Sequence, residues 1–168
     1  MKKEVIALRA SLARQEGQVL KQLARQAMDA AAELSALGDS AMAAYEAAKA
    51  AAAEGDAKAA KEAVEDAKAA ARSAEERVSY LQDLRSAMLK MKASLADRVS
   101  EMESALPKAS ESTRRALERA IESSKALGGA CANAADKVTA SLEHKNWAAA
   151  CYQLARKEAA KASRKAKK

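Results

Sequence analysis

Residues 74–106 read AEERVSYLQDLRSAMLKMKASLADRVSEMESAL, and their apolar side chains recur every seven residues. The heptad positions are held by Ala74, Leu81, Met88, Leu95 and Met102. A seven-residue repeat keeps one stripe of a helix facing a neighbouring helix, which is typical of coiled coils. The stretch therefore predicts a long helix over 57–105. We call Leu81, Met88, Leu95 and Met102 the heptad seam and treat it as a candidate contact surface for a partner helix.

Alanine dominates the rest of the chain. The sequence contains 48 alanines among 168 residues, with one proline, five glycines and no phenylalanine. Alanine is the best intrinsic helix former because it loses no side-chain entropy in a helix, and its methyl group offers almost no chemistry. The composition predicts an all-α protein built from long, closely packed helices.

Glycine, proline and polar stretches predict where these helices break. Breaks are expected at Gly38, Gly55, Pro107, Gly128 and residues 144–146. Gly55 suits the left-handed position after a helix, Asp56 and Asn146 suit N-caps, and Pro107 suits the first turn of a helix.

Two arrangements satisfy these breaks. In the first, helical legs over 3–53, 57–106 and 108–165 form an elongated, antiparallel, coiled-coil-like three-helix bundle about 75 Å long, with kinks. In the second, up to six segments fold back into a more compact bundle. Their bounds are 3–37, 40–54, 57–105, 108–127, 130–143 and 146–165. We favour the elongated bundle because the middle helix is long in both.

The first helix carries its own apolar stripe, in which a polar run over 14–18 forms a gap. The stripe consists of Val5, Leu8, Leu12, Val19, Leu23, Ala30, Leu34 and Leu37. We interpret this gap as a solvated turn of a kinked helix. The alternative is a contact point for another chain. Residues 46–77 contain one large aliphatic side chain, Val64. We interpret this stretch as an end of the bundle packed alanine to alanine, rather than as a docking face.

Charge is concentrated at the C-terminal end. The net charge is +7, and residues 156–168 contain seven Lys or Arg and one Glu. We therefore divide the chain into an alanine-rich bundle over 1–155 and a basic helix end or tail over 156–168. One face of this tail carries Lys157, Lys161, Arg164, Lys165 and Lys168. Such a stripe suits an anionic partner such as nucleic acid, and otherwise is a frayed, solvated end.

The sequence offers few ligands for a metal or cofactor. Cys131 and His144 lie thirteen residues apart, about 20 Å along a helix, so they cannot meet at one ion. Cys131 and Cys151 fall on apolar stripes and out of register for a disulfide, which predicts buried free thiols. His144 is expected in a solvated turn. No phosphate-binding loop or catalytic set is found, so no metal, cofactor or small-molecule substrate is expected.

These observations predict a non-enzymatic structural or interaction protein that acts through helix–helix contacts with itself or a partner protein. The alternative is a sequence-independent nucleic-acid-binding protein that uses the basic tail. No signal peptide, transmembrane segment or glycosylation sequon is recognised, and the cysteines are not expected to pair. Together these features favour a cytoplasmic location.

Overall fold

The computed structural model describes residues 3–168, which contain helices and no strand. The elements are α1 (Lys3–Glu54), α2 (Ala57–Ala105), a 3-10 turn (Leu106–Lys108), α3 (Glu111–Ser141) and α4 (Glu143–Ala166). The predicted all-α class is confirmed, and three long helices pack together.

The six-segment arrangement is wrong at two of its breaks. Gly38 lies inside α1, and Gly128 and Gly129 lie inside α3. Gly38 has a packing role, because a Cβ atom there would lie 3.2 Å from Nδ1 of His144. Glycine at this position lets α4 approach α1 closely. Packing in that contact offsets the helix-destabilising effect of glycine, on which the predicted break at Gly38 was based.

The turn between α1 and α2 confirms the predicted roles of Gly55 and Asp56. Gly55 has a φ of 73°, the left-handed conformation that closes a helix. The backbone N–H of Asp56 donates to Ala51 O at 2.9 Å, and that of Gly55 donates to Ala52 O at 3.2 Å. These two bonds make a Schellman motif. Asp56 Oδ1 then accepts from the N–H of Ala59 at 3.0 Å and so caps the start of α2.

The break at Pro107 is confirmed, because α2 ends at Ala105 as predicted, whereas the last break differs in position. Pro107 lies in the 3-10 turn, and α3 begins only at Glu111. The break expected at 144–146 falls at Leu142, so Asn146 lies inside α4 and is not an N-cap. Leu142 keeps a helical backbone (φ −60°, ψ −24°), and its N–H donates to Val138 O at 3.1 Å. The interruption between α3 and α4 is therefore a single residue.

The chain forms two compact units. The first contains residues 3–28 and Asp83–Lys137. Its core consists of large aliphatic side chains, each worth about 1.5–3 kcal/mol when fully buried. Those no more than 3% exposed include Ile6, Leu20, Met88, Leu95, Met102 and Leu117.

The second unit contains Asp29–Gln82 and Val138–Lys168. Leu34 and Leu81 are fully buried in it, but much of its core is alanine. One alanine cluster contains Ala44, Ala48, Ala63, Ala67 and Ala155, and the other contains Ala51, Ala52, Ala60 and Ala162. The predicted alanine-to-alanine packing is thus confirmed. Methyl-sized side chains allow helix axes to approach the near end of the usual spacing of about 8–10 Å.

Of the apolar stripe predicted on α1, Ala30 and Leu34 are buried, but the buried stripe of the helix otherwise consists of different residues. The buried positions recur every seven residues and are no more than 3% exposed. They are Ile6, Ala13, Leu20, Ala27, Leu34, Ala41 and Ala48. Val5, Leu8 and Val19, which were predicted to be in the core, are 39%, 59% and 46% exposed. Alanines alternate with larger side chains along the buried stripe. The stripe is therefore less hydrophobic than the exposed row that contains Val5, Leu8 and Val19.

Candidate functional site

The heptad seam lies in the interior of the folded chain. Leu81, Met88, Leu95 and Met102 are each no more than 2% exposed. The thiol of Cys131, on α3, donates to Met88 O at a sulfur–oxygen distance of 3.7 Å. The chain's own helices therefore cover the seam, and its contact with a second chain remains a prediction that would require the helices to separate.

An exposed apolar row on α1 takes the place of the seam as the candidate contact surface. Val5, Leu8, Leu12 and Val19, here called the α1 row, share one helix face because they are spaced three, four and seven residues apart. Leu12 is half-buried, whereas the other three are well exposed. Isolated exposed aliphatic residues are ordinary, whereas a row of them along one helix is a candidate contact surface.

The surroundings of the α1 row carry little uncompensated charge. Glu16 is half-buried and accepts hydrogen bonds from Ser94 Oγ at 3.3 Å and from Arg98 Nε at 3.4 Å. Glu4 is an exposed charge on this flank, whereas Gln15 and Gln22 are exposed and uncharged. A helix that packs on the row would therefore meet polar but largely neutral flanks.

The polar run over 14–18 lies inside α1, and Arg14, Gln15 and Gln18 are exposed, as expected of a solvated helical turn. Gly17 is buried, and a Cβ atom added there would lie 2.8 Å from Cδ1 of Leu127 on α3. Beside this contact, a groove of about 530 Å³ runs between α1 and α3. Arg14 and Arg119 are among its lining residues. Sequence reasoning missed the groove because it depends on which helix lies next to α1.

The five basic residues predicted to share a face near the C-terminus lie on or just after α4, and two of them have partners within the chain. Lys161 Nζ lies 3.0 Å from Glu158 Oε1, and Lys165 Nζ donates to Ala53 O at 2.7 Å. Lys157, Arg164 and Lys168 are exposed, with no ion pair or side-chain hydrogen bond to the rest of residues 3–168. Ala162, in the same segment, is fully buried in an alanine cluster. Three of the five cations therefore remain free to meet an anionic partner.

Cys131 and Cys151 are free and fully buried, as predicted. Burial raises the pKa of both thiols above the ordinary value, and the nearby Lys92 ammonium opposes this rise at Cys131. A buried, protonated thiol is a weak nucleophile and a weak metal ligand. In the described part of the chain, no three His, Cys, Asp or Glu side chains converge as metal ligands would.

His144 was expected in a solvated turn, but it lies in α4 and is half-buried against Gly38. Trp147, one turn further along, is 46% exposed. Asp39 and Glu143 line the same surface depression as these two aromatic rings. The depression combines an indole, an imidazole and two carboxylates.

The described helices include none that is both long and apolar enough to span a membrane. Comparisons of the chain with protein-family models, curated proteins and solved structures give no match.

Proposed function

We propose that this chain is a non-enzymatic structural or interaction protein that acts through helix–helix contacts made by the α1 row. The observation that carries the proposal is the exposure of Val5, Leu8 and Val19 on one face of α1. Fourteen residues separate Val5 from Val19, so the row extends about 21 Å, or close to four helical turns. Burial of these side chains against another helix provides a driving force proportional to the apolar area covered.

The partner that best suits the α1 row is a second copy of the chain. The flanks of the row are polar but largely neutral, because Arg98 compensates Glu16 and because Gln15 and Gln22 are uncharged. Two copies can therefore place their rows together without bringing strong like charges into contact. A row on one helix is also self-complementary across a two-fold axis.

The same proposal includes coiled-coil-like, antiparallel packing of the helices within one chain. The seven-residue spacing of the buried positions on α1 and α2 supports it, since such spacing is typical of knobs-into-holes packing. The short turn at Gly55 also supports it, because a tight turn between two long helices favours antiparallel neighbours.

Sedimentation velocity over a wide range of protein concentration tests the proposal. The wild type is expected to shift from monomer to dimer as the concentration rises. Leu8→Glu should remain monomeric while keeping its helical circular dichroism. Leu89→Glu is the matched control, because Leu89 is also exposed (40%) but lies on α2 outside the row. A wild type that stays monomeric, or a Leu8→Glu variant that dimerises like the wild type, would overturn the proposal.

Sequence-independent nucleic-acid binding is the second candidate function. The observation that favours it is the exposure of Lys157, Arg164 and Lys168 without partners among residues 3–168. Neutralising about three phosphates predicts that the logarithm of the affinity falls with the logarithm of salt concentration with a slope of about −3. Fluorescence anisotropy with random-sequence DNA tests this, using a variant with all three residues changed to glutamine. Unchanged binding by that variant would exclude the candidate.

A further inference from the structure

The groove between α1 and α3 has a floor of small side chains. The buried Ala13 and Gly17 contribute from α1 and the half-buried Ala120 contributes from α3, while the exposed Ala116 lines the edge of the groove. Its volume of about 530 Å³ falls within the range of about 300–1,000 Å³ that is typical of small-molecule pockets. The direct contact of Leu127 with Gly17 brings the two helices together beside the groove.

The groove is also a site of concentrated positive charge. Arg14, Lys21 and Arg119 line it, and none of the three has an ion pair with any other residue in 3–168. No Asp or Glu is among the lining residues, although the chain has 23 acidic residues. Elsewhere in the same unit, cations have acidic partners, as in the pair of Lys125 with Glu103 at 2.6 Å. Uncompensated cations around an apolar floor raise the local concentration of anions.

We propose that this groove binds a small amphiphilic anion with a single apolar chain. The alkyl chain lies on the alanine floor, and the carboxylate interacts with Arg14, Lys21 and Arg119. Guanidinium groups suit this role because their planar donors match the two oxygens of a carboxylate. The α1 row does not line the groove, so this proposal is independent of self-association.

Isothermal titration calorimetry of the full chain with three chain-matched probes tests the proposal. The probes are decanoate and decyltrimethylammonium, each used below its micellar concentration, and decanol, used below its solubility limit. Decanoate is expected to bind one-to-one and about tenfold more tightly than decanol, since charge-assisted hydrogen bonds are lost with the alcohol. The cationic probe is expected not to bind. Equal affinity for all three probes would overturn the proposal.

Chain length separates an amphiphile site from a simple anion site. Each additional methylene that is buried should increase the affinity about fourfold, so octanoate should bind more weakly than decanoate. Acetate binding as tightly as decanoate would overturn the proposal. Binding of many decanoate molecules with loss of helical circular dichroism would also overturn it, because that result indicates detergent-like unfolding.

Three variants locate the site. Arg119→Gln should weaken decanoate binding about tenfold and leave decanol binding unchanged. Ala120→Leu fills the groove without altering its charge, so it should weaken both probes. Lys137→Gln is the control, because Lys137 is exposed on α3 but does not line the groove. Decanoate binding that is unaffected by both Arg119→Gln and Ala120→Leu would exclude this groove as the site.

Discussion

Lys165 Nζ donates a 2.7 Å hydrogen bond to the backbone carbonyl oxygen of Ala53, 112 residues earlier in the chain. The Schellman motif at Gly55 satisfies the carbonyls of Ala51 and Ala52 but not that of Ala53. The last turn of α1 contains no basic residue of its own, so Lys165 also supplies the positive charge that favours a helix C-terminus. A residue that sequence reasoning assigned to a basic contact surface therefore caps another helix.

Replacing Lys165 should destabilise the fold. We expect Lys165→Met to lower the free energy of unfolding by about 0.5–1 kcal/mol, because the Ala53 carbonyl loses its charged donor. Urea unfolding followed by circular dichroism measures the change. Lys157→Met is the control, because Lys157 is exposed and makes no such bond, and it should leave the midpoint unchanged. Equal effects from the two variants would contradict the capping role.

The two glycines inside α3 should be stabilising sites for alanine. A Cβ atom at Gly128 or Gly129 would meet no atom within 4 Å, and neither residue has a positive φ. Gly128→Ala and Gly129→Ala should each raise the free energy of unfolding by about 0.5–1 kcal/mol. Gly55→Ala provides the opposite test, since its left-handed backbone should make it destabilising by about 1–2 kcal/mol. Thermal unfolding of the three variants checks the predicted order, and stabilisation by Gly55→Ala would be inconsistent with it.

The alanine clusters of the second unit should not tolerate larger side chains. Ala67 is fully buried between neighbouring alanines, so Ala67→Leu should cost about 1–3 kcal/mol through overpacking. Ala69 lies on the exposed side of α2, so Ala69→Leu should change the free energy of unfolding by no more than about 0.5 kcal/mol. Chemical unfolding of both variants separates the two positions. Tolerance of leucine at Ala67 would show that the helix spacing does not depend on methyl-sized side chains.

The buried thiols should make the fold less stable at alkaline pH. Burial raises the pKa of Cys131 and Cys151 in the folded state, so the unfolded chain loses these protons first as the pH rises. The stabilisation that the protonated thiols give the folded state is therefore complete below their unfolded-state pKa of about 8.5. It is lost as the pH rises through their higher pKa values in the folded state. Urea unfolding should show that the free energy of unfolding falls less between pH 7 and pH 10 for the double Cys→Ala variant than for the wild type. Identical losses in the two proteins would argue against thiol ionisation as the cause.

Helix content and the main turn could be predicted from local chemistry. Alanine favours helix whatever surrounds it, and the glycine and aspartate at 55–56 satisfy backbone groups within a few residues of themselves. The seven-residue spacing of Leu81, Met88 and Leu95 likewise indicated which face of α2 is buried. Each of these inferences depends on residues within about two helical turns of one another.

The exposed sites could not be predicted in this way, because they depend on which helix lies next to which. Two apolar stripes on α1 could face the core. The buried one alternates alanine with larger residues, at Ile6, Ala13 and Leu20, whereas the more hydrophobic Val5 and Leu8 are exposed. Small side chains allow close helix packing, whereas hydropathy alone favours the larger ones.

The amino-acid sequence by itself determined that the chain is helical, where α1 ends and that its cysteines remain buried and unpaired, because these properties follow from backbone propensity, local hydrogen bonds and apolar periodicity. Only the tertiary structure decided which apolar residues face outward, that Arg14 and Arg119 line one groove, and which carbonyl Lys165 caps. Those relationships join residues about 100 or more positions apart, and the packing of one helix surface against another sets them.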